Sequence, residues 1–229
     1  MRKVAIVTGA SRGIGVAVAR ELAGMGYALG MTARTADALL DAVEVVKKES
    51  PGTEVVTGIF DISDDASIST FVGEVHSRLG DVSVLVNNAG QLVRGTSGVS
   101  ADELRRMLDV NLVAATVFSQ AVIPDMKKAK AGHIINVSSI CGVEAYPDVG
   151  AYCASKFGLV GYSSALDQEL APHGITVTAL CPSWVDTRMA SHSPLKKEEM
   201  ISPSDLAITV RYLLSLSRRA HVREIVIHC

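Results

Sequence analysis

Tyr152 and Lys156 stand four residues apart in Tyr152-Cys153-Ala154-Ser155-Lys156, inside a stretch that reads as helix over 151–173. Residues four apart share a helix face, so the phenol and the ammonium point the same way. A phenol has an ordinary pKa of about 10 and carries protons poorly at neutral pH. A fixed ammonium beside it favours the phenolate and is expected to lower that value. This spacing arises by chance in many helices, so the pair takes its meaning from its surroundings. Ser139 lies thirteen positions upstream, in Ile134-Ile135-Asn136-Val137-Ser138-Ser139-Ile140-Cys141-Gly142, at the end of a strand-like run over 133–138. The carboxyl ends of strands are where open α/β sheets bind ligands. The competing reading makes Ser138 and Ser139 strand-end caps.

A second group of residues suits an anion. Thr8-Gly9-Ala10-Ser11-Arg12-Gly13-Ile14-Gly15 follows the first strand-like run and opens a helix. Glycines at this spacing let the backbone turn sharply and approach a pyrophosphate. The helix that starts there points free N–H groups and a positive dipole end at the same place. The second strand-like run ends Met31-Thr32-Ala33-Arg34-Thr35. NAD-preferring dinucleotide sites carry an acid at this point, to accept from the adenosine ribose. Ala33 and Arg34 stand there instead. A guanidinium can bind a 2′-phosphate bidentately, and Arg12 can reach it from the other side, so NADP(H) is expected over NAD(H).

The elements that must position these residues follow from the rest of the chain. Runs rich in Val, Ile, Ala and Leu occur at 3–8, 27–33, 54–60, 82–87, 133–138, 175–181 and 223–228. They are nearly continuous in hydrophobicity, as strands buried on both faces should be. Helical patterns lie between them at 14–25, 35–50, 64–79, 101–129, 151–173 and 203–217. Gly24-Met25-Gly26, Ser50-Pro51-Gly52 and His173-Gly174 mark helix ends. The alternation implies right-handed βαβ units. The expected fold is α/β: a single Rossmann-type doubly wound domain over 1–229, with about seven parallel strands and helices on both faces. The segment from Ser183 to Ser202 is the least regular and reads as a functional loop.

Composition narrows the function. The chain has 229 residues, 48% hydrophobic and 20% charged, with a net charge of −2. That is ordinary for a globular enzyme and gives no electrostatic reason to expect nucleic acid. Cys141, Cys153, Cys181 and Cys229 form no C-x-x-C pair, and the six histidines form no H-x-x-x-H pair. No metal site is expected, and isolated cysteines of this kind read as small buried hydrophobes in a reducing compartment. The N-terminal run is too short for a signal peptide, and no apolar run approaches the roughly 20 residues of a membrane span. A cytoplasmic protein with no membrane partner is expected.

With its G-x-x-x-G-x-G spacing, Thr8-Gly9-x-x-x-Gly13-x-Gly15 resembles the cofactor motif of the short-chain dehydrogenase/reductase family. The similarity is to the compact, single-domain branch of 3-oxoacyl and carbonyl reductases, and it is strongest from 4 to 187. The resemblance implies a catalytic tetrad of Asn111, Ser139, Tyr152 and Lys156. Tyr152 would exchange a proton with the substrate oxygen, and Ser139 would hydrogen-bond it. Lys156 would hold the nicotinamide ribose, and Asn111 would hold a water of a proton relay. The resemblance also implies cofactor contacts from Gly9, Ser11, Arg12, Gly13, Ile14, Gly15 and Arg34. Asp61 and Ile62 would meet the adenine, although the acid could instead cap the next helix. Asn88, Ala89 and Gly90, within Asn87-Asn88-Ala89-Gly90, would lie along the cofactor. Pro182, Val185 and Thr187 would reach the nicotinamide.

Two departures from the family stand out: Ser183 replaces the usual glycine after Pro182, and the chain stops at Arg223–Cys229 without a Gly-Gly segment. The expected activity is hydride transfer between nicotinamide and a small ketone or secondary alcohol, a 3-oxoacyl thioester among the substrates. The alternative is a cofactor-binding sensor without turnover. Lys127-Lys128-Lys130 could meet an acidic acyl carrier, but complementing a helix C-terminus is the favoured reading. Relatives associate through the helices here at 101–129 and 151–173, so a homotetramer or dimer is expected.

Overall fold

Seven short apolar runs pair side by side in the computed structural model, which describes residues 3–217 and 219–229. They are β1 (Val4–Val7), β2 (Ala28–Ala33), β3 (Val55–Ile59), β4 (Val84–Asn87), β5 (Gly132–Val137), β6 (Ile175–Pro182) and β7 (Glu224–Ile227). All pair in parallel, in the order β3-β2-β1-β4-β5-β6-β7. The chain steps outward from β1 to β3 and then returns to the far side of β1 with β4. That reversal opens a crevice at the carboxyl ends of β1 and β4, the place where such sheets take ligands. The expected runs match these strands to within one or two residues, the usual uncertainty at element ends.

The helices are α1 (Gly13–Gly24), α2 (Ala36–Glu49), α3 (Asp65–Leu79), α4 (Ala101–Leu108), α5 (Ala114–Ala129), α6 (Gly150–Leu170) and α7 (Pro203–Ser215). Side chains alternate across a strand, and β1 shows the consequence. Ala5 and Val7 enter one core, filled by apolar residues of α1, α2 and α7. Val4 and Ile6 enter a second, filled by α3, α5 and α6. Both faces of the sheet are therefore covered, and β1 is wholly buried. Gly26, Gly52 and Gly174 all take positive φ, which explains why those glycines end their helices.

The stretch 101–129 corrects the sequence reading. It is not one α-helix: a π turn at Asp109–Val113, with Ala114 N–H reaching back to the Asp109 carbonyl, separates α4 from α5. One extra residue in a turn throws the ladder out of register locally, and such bulges gather at functional sites. Asn111 sits inside it. The same stretch, Ala101–Ala129, is long and apolar enough to cross a membrane by length and composition, contrary to the reading from apolar runs. Its Phe118, Val122 and Met126 are fully buried against the sheet, the pattern of a core helix. The cysteines also divide. Cys153 and Cys181 are buried as expected, while Cys141 is only half-buried and Cys229 is exposed; all four are free thiols.

The far end of α6 is anchored by a fully buried carboxylate. Asp167 accepts from Val177 N–H at 3.0 Å and pairs with Arg223 at 3.0 Å and His221 at 3.2 Å. A buried charge needs such partners. They tie α6 to β6 and to the segment that leads into β7, and so fix the helix that carries Tyr152 and Lys156.

Candidate active site

The glycine turn is built as an anion cradle. Gly9 and Gly13 take φ of 62° and 54°, a region costly for other residues. A Cβ on Gly15 would lie 2.3 Å from the Gly9 carbonyl oxygen, so no side chain fits there. Arg12 is the N-cap of α1 without a side-chain capping bond, and the first turn has no acid. The N–H groups at this helix end are thus left for an incoming anion, which fits the pyrophosphate of a dinucleotide. Ser11 and Ile14 are half-buried beside it. Thr187 approaches from the loop after β6: its Cγ2 is 3.0 Å from where a Cβ on Gly13 would stand. Val185 is buried and bridges to Ile201, and Pro182 is the buried last residue of β6.

The end of β4 locks onto this turn. Thr8 Oγ1 accepts from the N–H groups of Asn88 and Ala89, both at 3.0 Å. Asn88 Nδ2 donates to the carbonyls of Thr8 and Gly9 at 2.9 and 3.1 Å. Thr8 opens the glycine motif in the sequence, but this locking role of its hydroxyl is visible only in the structure. Gly90 lies next to Asn111 and Lys156, since a Cβ there would be 3.5 Å from Asn111 Oδ1 and 3.7 Å from Lys156 Nζ.

At the carboxyl end of β2 Ala33 is buried and Arg34 exposed, and Arg12, in the turn after β1, is exposed. Among the described residues neither guanidinium has a carboxylate partner. Asp61 is more engaged than expected. Its Oδ1 accepts from Ser63 N–H and Oγ at 3.0 and 2.9 Å, and its Oδ2 pairs with Arg106 of α4. The Arg106 hydrogen bond and that of Ser63 pull its carboxyl down to about 2. The helix-cap role suggested for Asp61 belongs to Asp64, which accepts from Ala66 and Ser67 at the start of α3. Ile62 is buried in the second core.

Tyr152, Lys156, Ser139 and Asn111 converge where β4 and β5 end. Tyr152 and Lys156 are buried on one face of α6, with Lys156 Nζ 5.7 Å from the centre of the phenol ring. Lys156 Nζ donates to the Val137 carbonyl at 2.9 Å. Ser139 is the residue beside the phenol, whereas buried Ser138 donates to the Lys156 carbonyl at 3.2 Å. Ser139 Oγ also accepts from Cys141 N–H at 3.1 Å, so it caps the short turn Ile140–Gly142. The capping reading and the chemical reading are compatible, since a hydroxyl that accepts one bond keeps its own proton to donate. Asn111 is held on all sides. Its Oδ1 accepts from Gln91 N–H at 2.7 Å, and its Nδ2 donates to the Gln91 carbonyl at 2.8 Å and Ser155 Oγ at 2.9 Å.

The electrostatics differ from the Tyr–Lys expectation. Burial raises the Tyr152 phenol well above its ordinary value; the nearby Cys141 adds to this, and hydrogen bonding from Ser139 opposes it. Lys156 does not reverse the shift. Its own ammonium is pulled down to about 8 by burial, because a low-dielectric site disfavours both charged forms.

Ser183 no longer stands out as a misfit. Its backbone is outside the positive-φ region, its N–H donates to the Ile227 carbonyl at 2.8 Å, and its Oγ accepts from Cys229 N–H at 3.1 Å. It fastens the end of β7 to the substrate-side loop. Lys127 and Lys128 lie in the last turn of α5 and pair with Glu169 and Asp81, as helix-end complements do. His76, Asp81 and Asp125 offer ligand atoms within 4.8 Å of one another, and Lys128 pairs with Asp81 at 3.2 Å.

Residues 3–198 match the family described as short chain dehydrogenase, and the chain belongs to that family of oxidoreductases. It is 40% identical over 191 residues to a Streptomyces virginiae protein named as a ketoacyl reductase of monensin polyketide synthase, covering 82% of this chain and 72% of that one. It is 36% identical over 204 residues to the 3-oxoacyl-[acyl-carrier-protein] reductase FabG of Pseudomonas aeruginosa, covering 87% and 80%. Among solved structures, an alcohol dehydrogenase of Thermococcus sibiricus complexed with 5-hydroxy-NADP superposes with a TM-score of 0.90 at 33% identity, covering 99% and 96%.

Proposed function

We propose that this chain is an NADP(H)-dependent reductase of ketones, with 3-oxoacyl thioesters as its substrate class, and that residues 1–229 act as one cofactor-binding and catalytic unit. The observation that carries this reading is the burial of Tyr152 and Lys156 side by side at the carboxyl end of β5, beside Ser139. The family and the relatives named for ketoacyl reduction support it, and nothing favours a sensor without turnover.

Bound NADPH supplies the hydride. The cradle of Gly9, Gly13 and Gly15 would hold its pyrophosphate, and Arg12 and Arg34 would hold the 2′-phosphate. Asp61 and Ile62 would line the adenosine side, Asn88 and Ala89 would lie along the cofactor, and Pro182, Val185 and Thr187 would meet the nicotinamide. Tyr152 donates its proton to the carbonyl oxygen as charge develops there, and Ser139 donates a hydrogen bond to the same oxygen. Lys156 holds the ribose and resupplies the proton. Both Nδ2 protons of Asn111 are engaged, while its Oδ1 accepts only from Gln91 N–H and keeps a lone pair with which to hold the water of a proton relay.

A panel of NADPH oxidation assays over simple ketones, alcohols (with NADP) and 3-oxoacyl thioesters tests this directly. Saturable NADPH oxidation is expected with carbonyl substrates, highest kcat/KM falling to a 3-oxoacyl thioester. Tight NADPH binding without turnover on any of them would contradict it.

Assembly and location belong to the same proposal. A groove of about 500 Å³ between α5 and α6, with Ile123, Pro124, Tyr162 and Leu166 in its lining, faces outward. Val113 at the end of the π turn and Phe157 of α6 are also exposed. Apolar surface of this kind is covered by a second copy in closed oligomers, so the chain is read as a cytoplasmic homo-oligomer, tetramer or dimer. Light scattering at micromolar concentration is expected to give a multiple of the 24.1 kDa chain mass; a monomer would refute the assembly.

A further inference from the structure

The catalytic helix α6 starts without a cap of its own. Its N-cap residue, Val149, has no side chain able to accept from the first N–H groups, and its first turn holds no acid. Tyr152 is the third residue of that turn, where helix ends fray when their N–H groups are unpaired. The missing cap comes from another loop. Thr96 lies between β4 and α4, 54 positions away in sequence, and its Oγ1 accepts from Gly150 N–H at 2.9 Å. The same hydroxyl donates its proton to the Pro147 carbonyl. The two preceding residues grip the same segment. Gly95 N–H donates to the Asp148 carbonyl at 2.7 Å, and Arg94 pairs with the Asp148 carboxylate at 2.7 Å. Gly150 leaves the room that this requires, since a Cβ there would lie 2.5 Å from Thr96 Cγ2.

The loop that supplies the clasp is the continuation of the cofactor-side strand end. From Asn88, bonded to the glycine turn, the chain passes through Gln91, bonded by its N–H and its carbonyl to Asn111, and reaches Arg94–Thr96 six residues later. The clasp thus joins the cofactor side of the crevice to the first turn of the helix that presents the phenol. We infer that Thr96, with Arg94 and Gly95, is a positioning residue for the reduction: by capping α6 from outside, it holds Tyr152 in reach of the substrate oxygen. The inference rests on Tyr152 being the proton donor.

Thr96→Val keeps the shape and removes both hydrogen bonds, whereas Thr96→Ser keeps the hydroxyl. Losing one N-cap bond weakens a helix end by a free energy equivalent to about three- to tenfold in population, and kcat for carbonyl reduction is expected to fall by about that factor in Thr96→Val. KM and Kd for NADPH should stay within twofold. Burial keeps the Tyr152 phenol protonated to high pH, so a loosened first turn that admits water should move the alkaline fall of the reduction rate to lower pH. Thr96→Ser should restore both kcat and the pH profile. Gly150→Ala, whose Cβ would crowd both Thr96 Cγ2 and Thr96 Oγ1, should reproduce the loss with Thr96 itself unchanged. Full kcat in Thr96→Val would overturn the inference. So would a loss with an unchanged pH profile, or one that Thr96→Ser fails to rescue. Tyr152→Phe, measured alongside, separates the two levels. If Tyr152→Phe is inactive while Thr96→Val is normal, only the clasp is wrong. If Tyr152→Phe is active, the assignment of the proton donor fails with it.

Discussion

Tyr152→Phe is expected to lower kcat for carbonyl reduction by about 10²–10⁴-fold, the usual contribution of general acid catalysis, while leaving the fold and NADPH affinity unchanged. The ring is only 5% exposed and fills the same space in either residue, so packing is conserved and the unfolding midpoint should hardly move. The lost atom is the one proposed to give its proton to the substrate oxygen. Lys156→Ala should differ in kind, losing cofactor affinity and rate together, because it removes both the proposed ribose contact and the charge beside the phenol. The pH dependence has a definite sign. A phenol raised by burial stays protonated through the neutral range, which is the form that reduction consumes. Reduction is therefore expected to show no Tyr152 titration between pH 6 and 8, whereas alcohol oxidation, which needs the phenolate, should keep rising into alkaline pH. Steady-state rates in both directions, with NADPH binding followed by fluorescence, check all of these results. Near-full turnover in Tyr152→Phe would remove the proposed mechanism.

Exchanging the cofactor preference is the second large effect. Arg34 and Arg12 are exposed at the carboxyl ends of β1 and β2, neither paired with an acid among the described residues, while Ala33 stands where an NAD site would place a carboxylate. Hydrogen bonds to a charged group are worth about 1.5–3 kcal/mol, so Arg34→Ala alone should weaken NADPH about 10–100-fold and leave NADH nearly unaffected. Ala33→Asp combined with Arg34→Ala should then invert the order, because the new carboxylate repels a 2′-phosphate and accepts from ribose hydroxyls. Direct titration of both cofactors reads the outcome. An unaltered protein that binds NADH more tightly than NADPH would defeat the argument from the two arginines.

The parts of the site that were legible in the sequence are those whose chemistry is local. The glycine turn announces itself because left-handed backbone at Gly9 and Gly13 and the contact at Gly15 admit no other residue. Tyr152 and Lys156 are found because a helix places residues four apart on one face. The strands were legible because a sheet covered on both sides needs apolar residues at nearly every position, as in β1 and β6. What stayed hidden depends on distant partners. Arg106 reaches Asp61 from 45 positions away, and Thr96 caps a helix 54 positions later. Thr96 is exposed and Arg106 half-buried; both are polar residues of the commonest kind, with no periodicity to mark them. The π turn around Asn111 was hidden for another reason: its apolar spacing is that of an ordinary helix, and only the pull of Gln91 and Ser155 on the Asn111 amide shows why that turn is held wide. The direction of the Tyr152 shift was misjudged because the sequence shows the neighbouring ammonium but not the depth of burial, which lowers the proton affinity of Lys156 while raising that of Tyr152.

The central claim is that this chain carries hydride from a nicotinamide to a carbonyl carbon while Tyr152 supplies the proton. The most direct measurement uses NADPH deuterated at nicotinamide C4, with a 3-oxoacyl thioester as acceptor and mass spectrometry of the product. The account predicts one deuterium on the new carbinol carbon in each turnover, from the unaltered enzyme, and product formation reduced about 10²–10⁴-fold in Tyr152→Phe. A reduced product without the label at that carbon, or NADPH consumed with no alcohol formed, would contradict it.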